Sequence, residues 1–337
     1  MAWATFLRLY QKNMLTSKQI QEMVKRGIAD MPFDRKPEEL DAPIRYVLSL
    51  GGKRLRPALM LMAYNLYKEN AEEILPVAIG LETYHNYTLL HDDLMDHASV
   101  RRGNPTVHVK WDENTAILSG DTMLVMAYQY VARCSDAYLP RILNLFTTTA
   151  LEIGEGQQYD VDFETRNDVT EEEYIEMIRL KTSVLLACAL KMGAVLADAP
   201  ERDAELLYQF GEQIGLAFQL QDDYLDCYGD FEKFGKRIGG DILCNKKTYM
   251  LINALQLAGE VERKELLGWI NAKDYDEQEK IDAVIALYTQ LGIPELVNQR
   301  IAECYERGEQ ALAAVALSQE RKEVLLQFAR QMLNRQS

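Results

Sequence analysis

The 337-residue chain holds five cysteines, Cys134, Cys188, Cys227, Cys244 and Cys304, and no CxxC pair. An odd number at wide spacings indicates neither a disulfide framework nor a structural zinc site. A reducing, cytoplasmic setting is the simplest expectation. Long apolar runs are also missing. None approaches the ~20 residues that span a bilayer, so no transmembrane segment is expected. The opening MAWATFLRLYQKNM is broken by Arg8 and Lys12 and lacks a signal-peptide core. Basic charge is scarce: 37 Lys and Arg stand against 52 Asp and Glu, a net −15. That argues against a nucleic-acid partner, since phosphate backbones need a basic face, and an anionic membrane surface would repel the chain. A few basic residues focused in one cleft could still hold a polyphosphate. Alternating strand patterns of useful length, low-complexity linkers and composition shifts are all absent.

What remains is helical periodicity almost throughout, with 48% apolar residues, enough for a large core. In residues 56–70, Leu59, Leu61, Met62 and Leu66 recur at helical spacing, and Pro57 predicts the first helical position. Residues 72–96 predict one long helix, apolar enough for the centre of a bundle. Residues 170–197 open with Thr-x-x-Glu, a capping-box pattern, and then turn strongly apolar. Residues 201–226 have the same character, and the C-terminal third reads as outer helices. Turn chemistry collects at 50–57, 101–106, 227–241 and 291–295. The expectation is one all-α domain over 1–337, a large single-domain helical bundle.

Three aspartates, Asp92, Asp93 and Asp96, interrupt the apolar segment LLHDDLMD, and Asp222, Asp223 and Asp226 repeat the pattern in QLQDDYLD. On a helix, positions four apart share a face, so Asp92 pairs with Asp96 and Asp222 with Asp226. Carboxylates without histidine or thiolate suit a hard cation such as Mg²⁺, which completes its shell with water and substrate phosphate. A single such cluster is usually a solvated helix end. Two of them, each near the C-terminal end of an apolar helix, oppose the helix dipole, so a function that supplies cations is expected.

Basic residues stand near both clusters. GGKRLRP (51–57) offers Lys53, Arg54 and Arg56 after a Gly-Gly turn, although the spacing is not that of a Walker loop. Arg101 and Arg102 follow the first cluster; Lys236, Lys246 and Lys247 follow the second. Lys181 and Thr182 interrupt an apolar helix face, where a lysine would ordinarily snorkel. His85 reads most simply as a core histidine. Glu82 and His85 form a Glu-x-x-His pair of the di-iron type, but the other histidines, His91, His97 and His108, lack a glutamate three residues earlier, which excludes that site.

Together GGKRLRP, HDDLMD with RRGNPTVH, LKT (180–182), and FQLQDDYLD with GKRIGGDILCNKKT resemble the trans-isoprenyl diphosphate synthase (polyprenyl synthetase) family. The resemblance implies an all-α bundle around a deep central cavity, a homodimer, and head-to-tail condensation of isopentenyl diphosphate with an allylic diphosphate (dimethylallyl, geranyl or farnesyl). It implies about three Mg²⁺ ions, two on Asp92 and Asp96 and a third on Asp222, with Asp93, Asp223 and Asp226 in support. Arg101, Lys181 and Lys236 would grip the allylic diphosphate, with Lys246 also on the substrate. Lys53, Arg56, His85 and Arg102 would grip isopentenyl diphosphate. Thr182 and Gln219 would face the developing cation.

The growing prenyl tail should run beside the helix that carries Asp92. Tyr87 and Tyr84 lie five and eight positions earlier, on roughly that face. Three helical residues rise ~4.5 Å, similar to one isoprene unit, so each position counts about one unit. Large rings there suggest a shallow floor, with plain packing as the alternative. Thr88 is small, and the first motif lacks a two-residue insertion; by resemblance both favour a C20 product over C15. The rivals are a class I terpene cyclase, a non-catalytic subunit of a heteromeric prenyl synthase, and a helical scaffold.

Overall fold

A computed structural model describes residues 14–229 and 238–333. Its elements run α1 (Ser17–Ala29), α2 (Glu38–Ser49), α3 (Leu55–Asn65), a 3-10 turn (Ala71–Ile74), α4 (Leu75–Met95), β1 (Val100–Arg101), β2 (Asn104–Pro105), α5 (Val107–Lys110) and α6 (Glu113–Val131). They continue as α7 (Leu139–Glu164), α8 (Glu171–Ile178), a π turn (Arg179–Ser183), α9 (Val184–Leu196), α10 (Glu201–Tyr228), α11 (Gly240–Leu243), α12 (Tyr249–Leu257), α13 (Glu260–Asn271), α14 (Glu277–Gln290), α15 (Ile293–Ala314) and α16 (Gln319–Leu333). The all-α class is as expected. The chain forms two compact units. One holds the described residues up to Thr147 with Cys188–Leu207 and Ala316–Leu325; the other holds Thr148–Ala187, Tyr208–Val315 and the described residues from Leu326.

In the first unit, α4 carries apolar side chains on every face, which marks a buried helix rather than an amphipathic one. It lies along α6. Glycines on both helices permit the approach: a Cβ on Gly80 of α4 would stand 2.8 Å from Val131 N, and one on Gly120 of α6 would strike the His91 ring. The helix begins at Leu75, after the 3-10 turn, rather than at 72. Helix α3 begins at Leu55, so Pro57 takes its third position rather than the first. Gly51, Gly52 and Arg54, at φ 77°, 123° and 47°, carry the chain into it through a left-handed turn. The strands pair Val100 with Pro105 and Arg101 with Asn104, a ladder too short to show alternation. Arg102 and Gly103, at φ 53° and 73°, form its turn.

In the second unit, Thr170 and Glu173 close the expected capping box of α8. The helical path through 170–197 is not uniform, because Arg179–Ser183 widen into a π turn. Two backbones press on that turn. A Cβ on Gly156 of α7 would strike Lys181 N, and one on Gly215 of α10 would lie 2.6 Å from Ser183 Cα. Glycine at both places leaves room for the wider winding. Tyr174, Leu216, Leu220, Met250, Tyr288 and Ile293 are part of the surrounding core. Among the described residues no helix is long and apolar enough to cross a membrane.

Two glycine substitutions should act in opposite directions. Gly193→Ala drives a Cβ into the Met60 carbonyl of α3 and should lower stability by about 1–3 kcal/mol. Gly268→Ala, in the exposed interior of α13 with nothing within 4 Å, should raise it by about 0.5–1 kcal/mol. Urea denaturation midpoints read both.

Candidate functional site

The first unit gathers a cluster of guanidinium groups. Arg54 turns inward from its left-handed position, its NH1 2.6 Å from Glu82 Oε1 on α4, and Glu82 is 2% exposed. Asn86, one turn along, donates to the same Oε1 at 2.9 Å. Arg56 NH1 lies 3.0 Å from His85 Nε2. Arg102 donates to the Gly51 carbonyl, and a Cβ on Gly52 would stand 2.9 Å from its guanidinium carbon. Gly52 therefore lets Arg102 lie flat on the turn. Lys53 is exposed at the same turn.

Burial pulls the Arg56 guanidinium down to about 10, with Glu82 opposing and Arg102 adding to the pull. Burial, followed by Arg56, Arg102, Arg101 and Arg54, pushes His85 well below the ordinary imidazole range, so it is neutral near pH 7. Arg56 Nε, Glu82 Oε2 and Asn86 Oδ1 are buried without hydrogen-bond partners. Of these, Arg56 Nε is a donor that an anion could take, whereas Glu82 Oε2 and Asn86 Oδ1 are acceptors that only a donor such as water could satisfy.

The first aspartate pair ends α4. Asp92 is half-buried and Asp96, at the C-cap, is exposed. Between them Asp93 turns inward and accepts Arg101 Nε at 2.7 Å, while the Arg101 guanidinium also reaches within 3.5 Å of Asp92. Burial raises the Asp93 carboxyl, Arg101 lowers it and Asp92 raises it further. Upstream, Tyr84 packs on Tyr87 and Phe146 with ring centroids 5.5 and 5.2 Å apart, and Tyr128 meets Phe146 at 5.0 Å. Tyr84 is buried and Tyr87 half-buried.

The second unit carries the second pair on the last turns of α10. Asp222 and Asp226 are half-buried, and Asp226 Oδ2 accepts Asp241 N at 3.0 Å. Asp223 is buried, accepting from Tyr174 OH and from Gln219 Nε2 at 3.0 Å. Burial and then Asp241 push its carboxyl up, with Tyr174, Lys246 and Gln219 opposing. Thr182 Oγ1 donates to Gln219 Oε1 at 3.2 Å, so both polar groups of the apolar helices meet. Lys181 does not snorkel; its Nζ lies 2.6 Å from Asp160 Oδ2 on α7. Burial raises the Asp160 carboxyl, but Lys246 and Lys181 outweigh it and hold the group below the usual range. Lys246 itself is exposed. Lys236 lies outside the described residues.

Among the described residues no three His, Cys, Asp or Glu side chains converge into a ready metal cage. Two carboxylates per helix end, with no nitrogen or sulfur donor, fit Mg²⁺ nonetheless, because that ion keeps several waters and takes substrate phosphate as ligands. Asp92 with Asp96 and Asp222 with Asp226 are the residues that could hold it. Asp160, Tyr174 and Asp241 are not marked by any spacing in the sequence, and Glu82 has no role there once a di-iron site is excluded. GEGQQYD (154–160), a polar glycine-bearing stretch inside a helix, is the signal that could have flagged Asp160.

The His85 shift has a measurable consequence. The unfolded chain takes up the imidazole proton near pH 6.5, the native chain only at lower pH. Stability from the neutral ring is complete above about pH 6.5 and declines as pH falls toward the native value. Urea denaturation from about pH 7.5 to about pH 5 should therefore show a steeper loss for the wild type than for His85→Gln. Equal slopes would contradict the half-buried, neutral ring.

Residues 37–288 match the polyprenyl synthetase family model. The chain is 39% identical over 303 residues to a geranylgeranyl diphosphate synthase of Methanosarcina mazei, covering 89% of this chain and 91% of that protein. It resembles a crystal structure of geranylgeranyl pyrophosphate synthase with a TM-score of 0.91 and 42% identity, covering 96% of this chain and all of that one. A geranylgeranyl pyrophosphate synthase of Corynebacterium glutamicum, complexed with isoprenyl diphosphate and magnesium, gives a TM-score of 0.83 and 27% identity over 95% of this chain and 98% of that one. The chain belongs to the polyprenyl synthetase family.

Proposed function

We propose that the chain is a Mg²⁺-dependent prenyltransferase of about three ions. It joins isopentenyl diphosphate head to tail to dimethylallyl, geranyl or farnesyl diphosphate, with geranylgeranyl diphosphate as product. The observation that carries this reading is the guanidinium cluster around neutral His85. A terpene cyclase has one diphosphate to hold and no use for this second anion site. A non-catalytic subunit has no need of two complete aspartate pairs. Residues 1–337 are read as one catalytic domain working in the cytoplasm. A homodimer is supported by Leu118 and Val125, exposed two turns apart on α6, and by exposed Leu151 on α7.

In this reading Arg56, Arg102, Lys53 and His85 seat isopentenyl diphosphate. His85 serves as a neutral hydrogen-bonding partner, not as an acid. Lys181, Arg101, Lys236 and Lys246 seat the allylic diphosphate, and Asp160 holds the Lys181 ammonium extended until phosphate arrives. Mg²⁺, held by Asp92, Asp96, Asp222 and Asp226, would offset the charge that builds on the departing diphosphate. Thr182 and Gln219 turn oxygen atoms toward the allylic cation. Water must be excluded, because it would trap that cation before the second double bond attacks. The final proton passes to the released diphosphate, so no side-chain base is required.

Incubation with labelled isopentenyl diphosphate, each allylic primer and Mg²⁺ tests the proposal. A linear C20 diphosphate is expected. A cyclised hydrocarbon would replace the synthase with a cyclase, and absence of turnover would leave the subunit. Two variants refine it. Tyr87→Ala removes the half-buried ring of the proposed floor and should lengthen the product, read by chromatography after dephosphorylation; unchanged length removes Tyr87 from the floor. Arg56→Met should raise KM for isopentenyl diphosphate about tenfold or more, while KM for the allylic primer stays within about twofold.

A further inference from the structure

Lys280, on α14, is 1% exposed, yet among the described residues it has no carboxylate partner. Its Nζ donates to Asn245 Oδ1 at 2.7 Å and stands 4.4 Å from the centre of the Tyr275 ring. An ammonium group buried against neutral partners is costly, and a methionine or leucine would fill the same space more cheaply. Asn245 is itself unusual. Its backbone is left-handed, at φ 52°. Its side-chain amide donates to the Ile270 carbonyl of α13 at 3.2 Å while its side-chain oxygen takes Lys280, and its main-chain oxygen accepts Lys247 Nζ at 3.2 Å. One residue thus ties the Asp241–Thr248 segment to two outer helices.

The segment bears directly on the second aspartate pair. Asp241 N donates to Asp226 Oδ2, and Lys246 N returns to the Asp241 carbonyl at 2.9 Å. The Lys246 charge acts on both Asp160 and Asp223. Asp241, Asn245, Lys246 and Lys280 line one small cavity.

We infer that Lys280 is a positioning residue: through Asn245 it holds the Asp241–Thr248 segment so that the Asp241 amide stays on Asp226 and the Lys246 ammonium stays beside Asp160 and Asp223. The inference rests on that pair being the seat of the allylic diphosphate. Lys280 touches no substrate and acts through Lys246.

Lys280→Met and Asn245→Gly test it, the latter keeping the left-handed backbone while deleting the side chain. Each should lower kcat/KM for the allylic primer about tenfold, with KM for isopentenyl diphosphate within about twofold of wild type. Neither should lower it further in a Lys246→Met background, since the effect travels through that ammonium. Asn245→Asp, which keeps an acceptor for Lys280, should stay within about twofold of wild type. Equal damage to both substrates, or full additivity with Lys246→Met, would overturn the inference. If Lys280→Met does not fold, Asn245→Gly decides. If the wild type turns out not to elongate prenyl chains, calorimetry with inorganic pyrophosphate and excess Mg²⁺ gives the same comparison. Affinity about tenfold weaker in both variants, and no weaker again on Lys246→Met, supports the inference; unchanged affinity defeats it.

Discussion

Like charges crowd together in both units, and the rest of the site depends on relieving that crowding. In the first unit, burial and then the charges of Arg56, Arg102, Arg101 and Arg54 suppress the proton on His85. Buried Glu82 and Asp93 each answer one of the four. In the second, Asp223 and Asp241 repel one another, and Asp222 and Asp226 share their helix face. Such arrangements weaken a fold unless a ligand of opposite sign completes them. A diphosphate answers the arginines, and a hard divalent cation answers the aspartates. The proposed substrates would bring phosphate and metal together.

Much of this was legible in the sequence, because chemistry at fixed helical spacing survives without coordinates. The aspartate pairs could be placed on helix ends from i, i+4 spacing, and both helices end within a few residues of where the periodicity stops. The Thr170 capping box, the polar pair Lys181 and Thr182 inside an apolar helix, and the arginines after Gly-Gly could all be read directly. Each is a local departure from the pattern around it.

What the sequence hid depends on distance along the chain. Glu82 pairs with Arg54 across 28 residues, and Asp160 with Lys181 across 21; no spacing rule connects such partners. The π turn at Arg179–Ser183 follows from glycines on two other helices, so helical periodicity read along 170–197 alone passes straight through it. The first turn of α3 was misplaced for a related reason: Arg54, pinned by Glu82, sets where the helix starts, and Pro57 does not. Lys280 is concealed most completely. In the sequence it is one charged residue in a charged, amphipathic helix, and only the packing of α13 and α14 reveals that it is buried.

The proposed reading, in which the arginines take phosphate and the aspartate pairs take metal, has a direct thermodynamic test. Thermal unfolding should be followed with Mg²⁺ alone, inorganic pyrophosphate alone, and the two together. Ligands that bind only the native state raise Tm in proportion to their binding free energy. The account predicts small shifts for either component and a shift well beyond their sum for the pair. Additive shifts, or none, would contradict it.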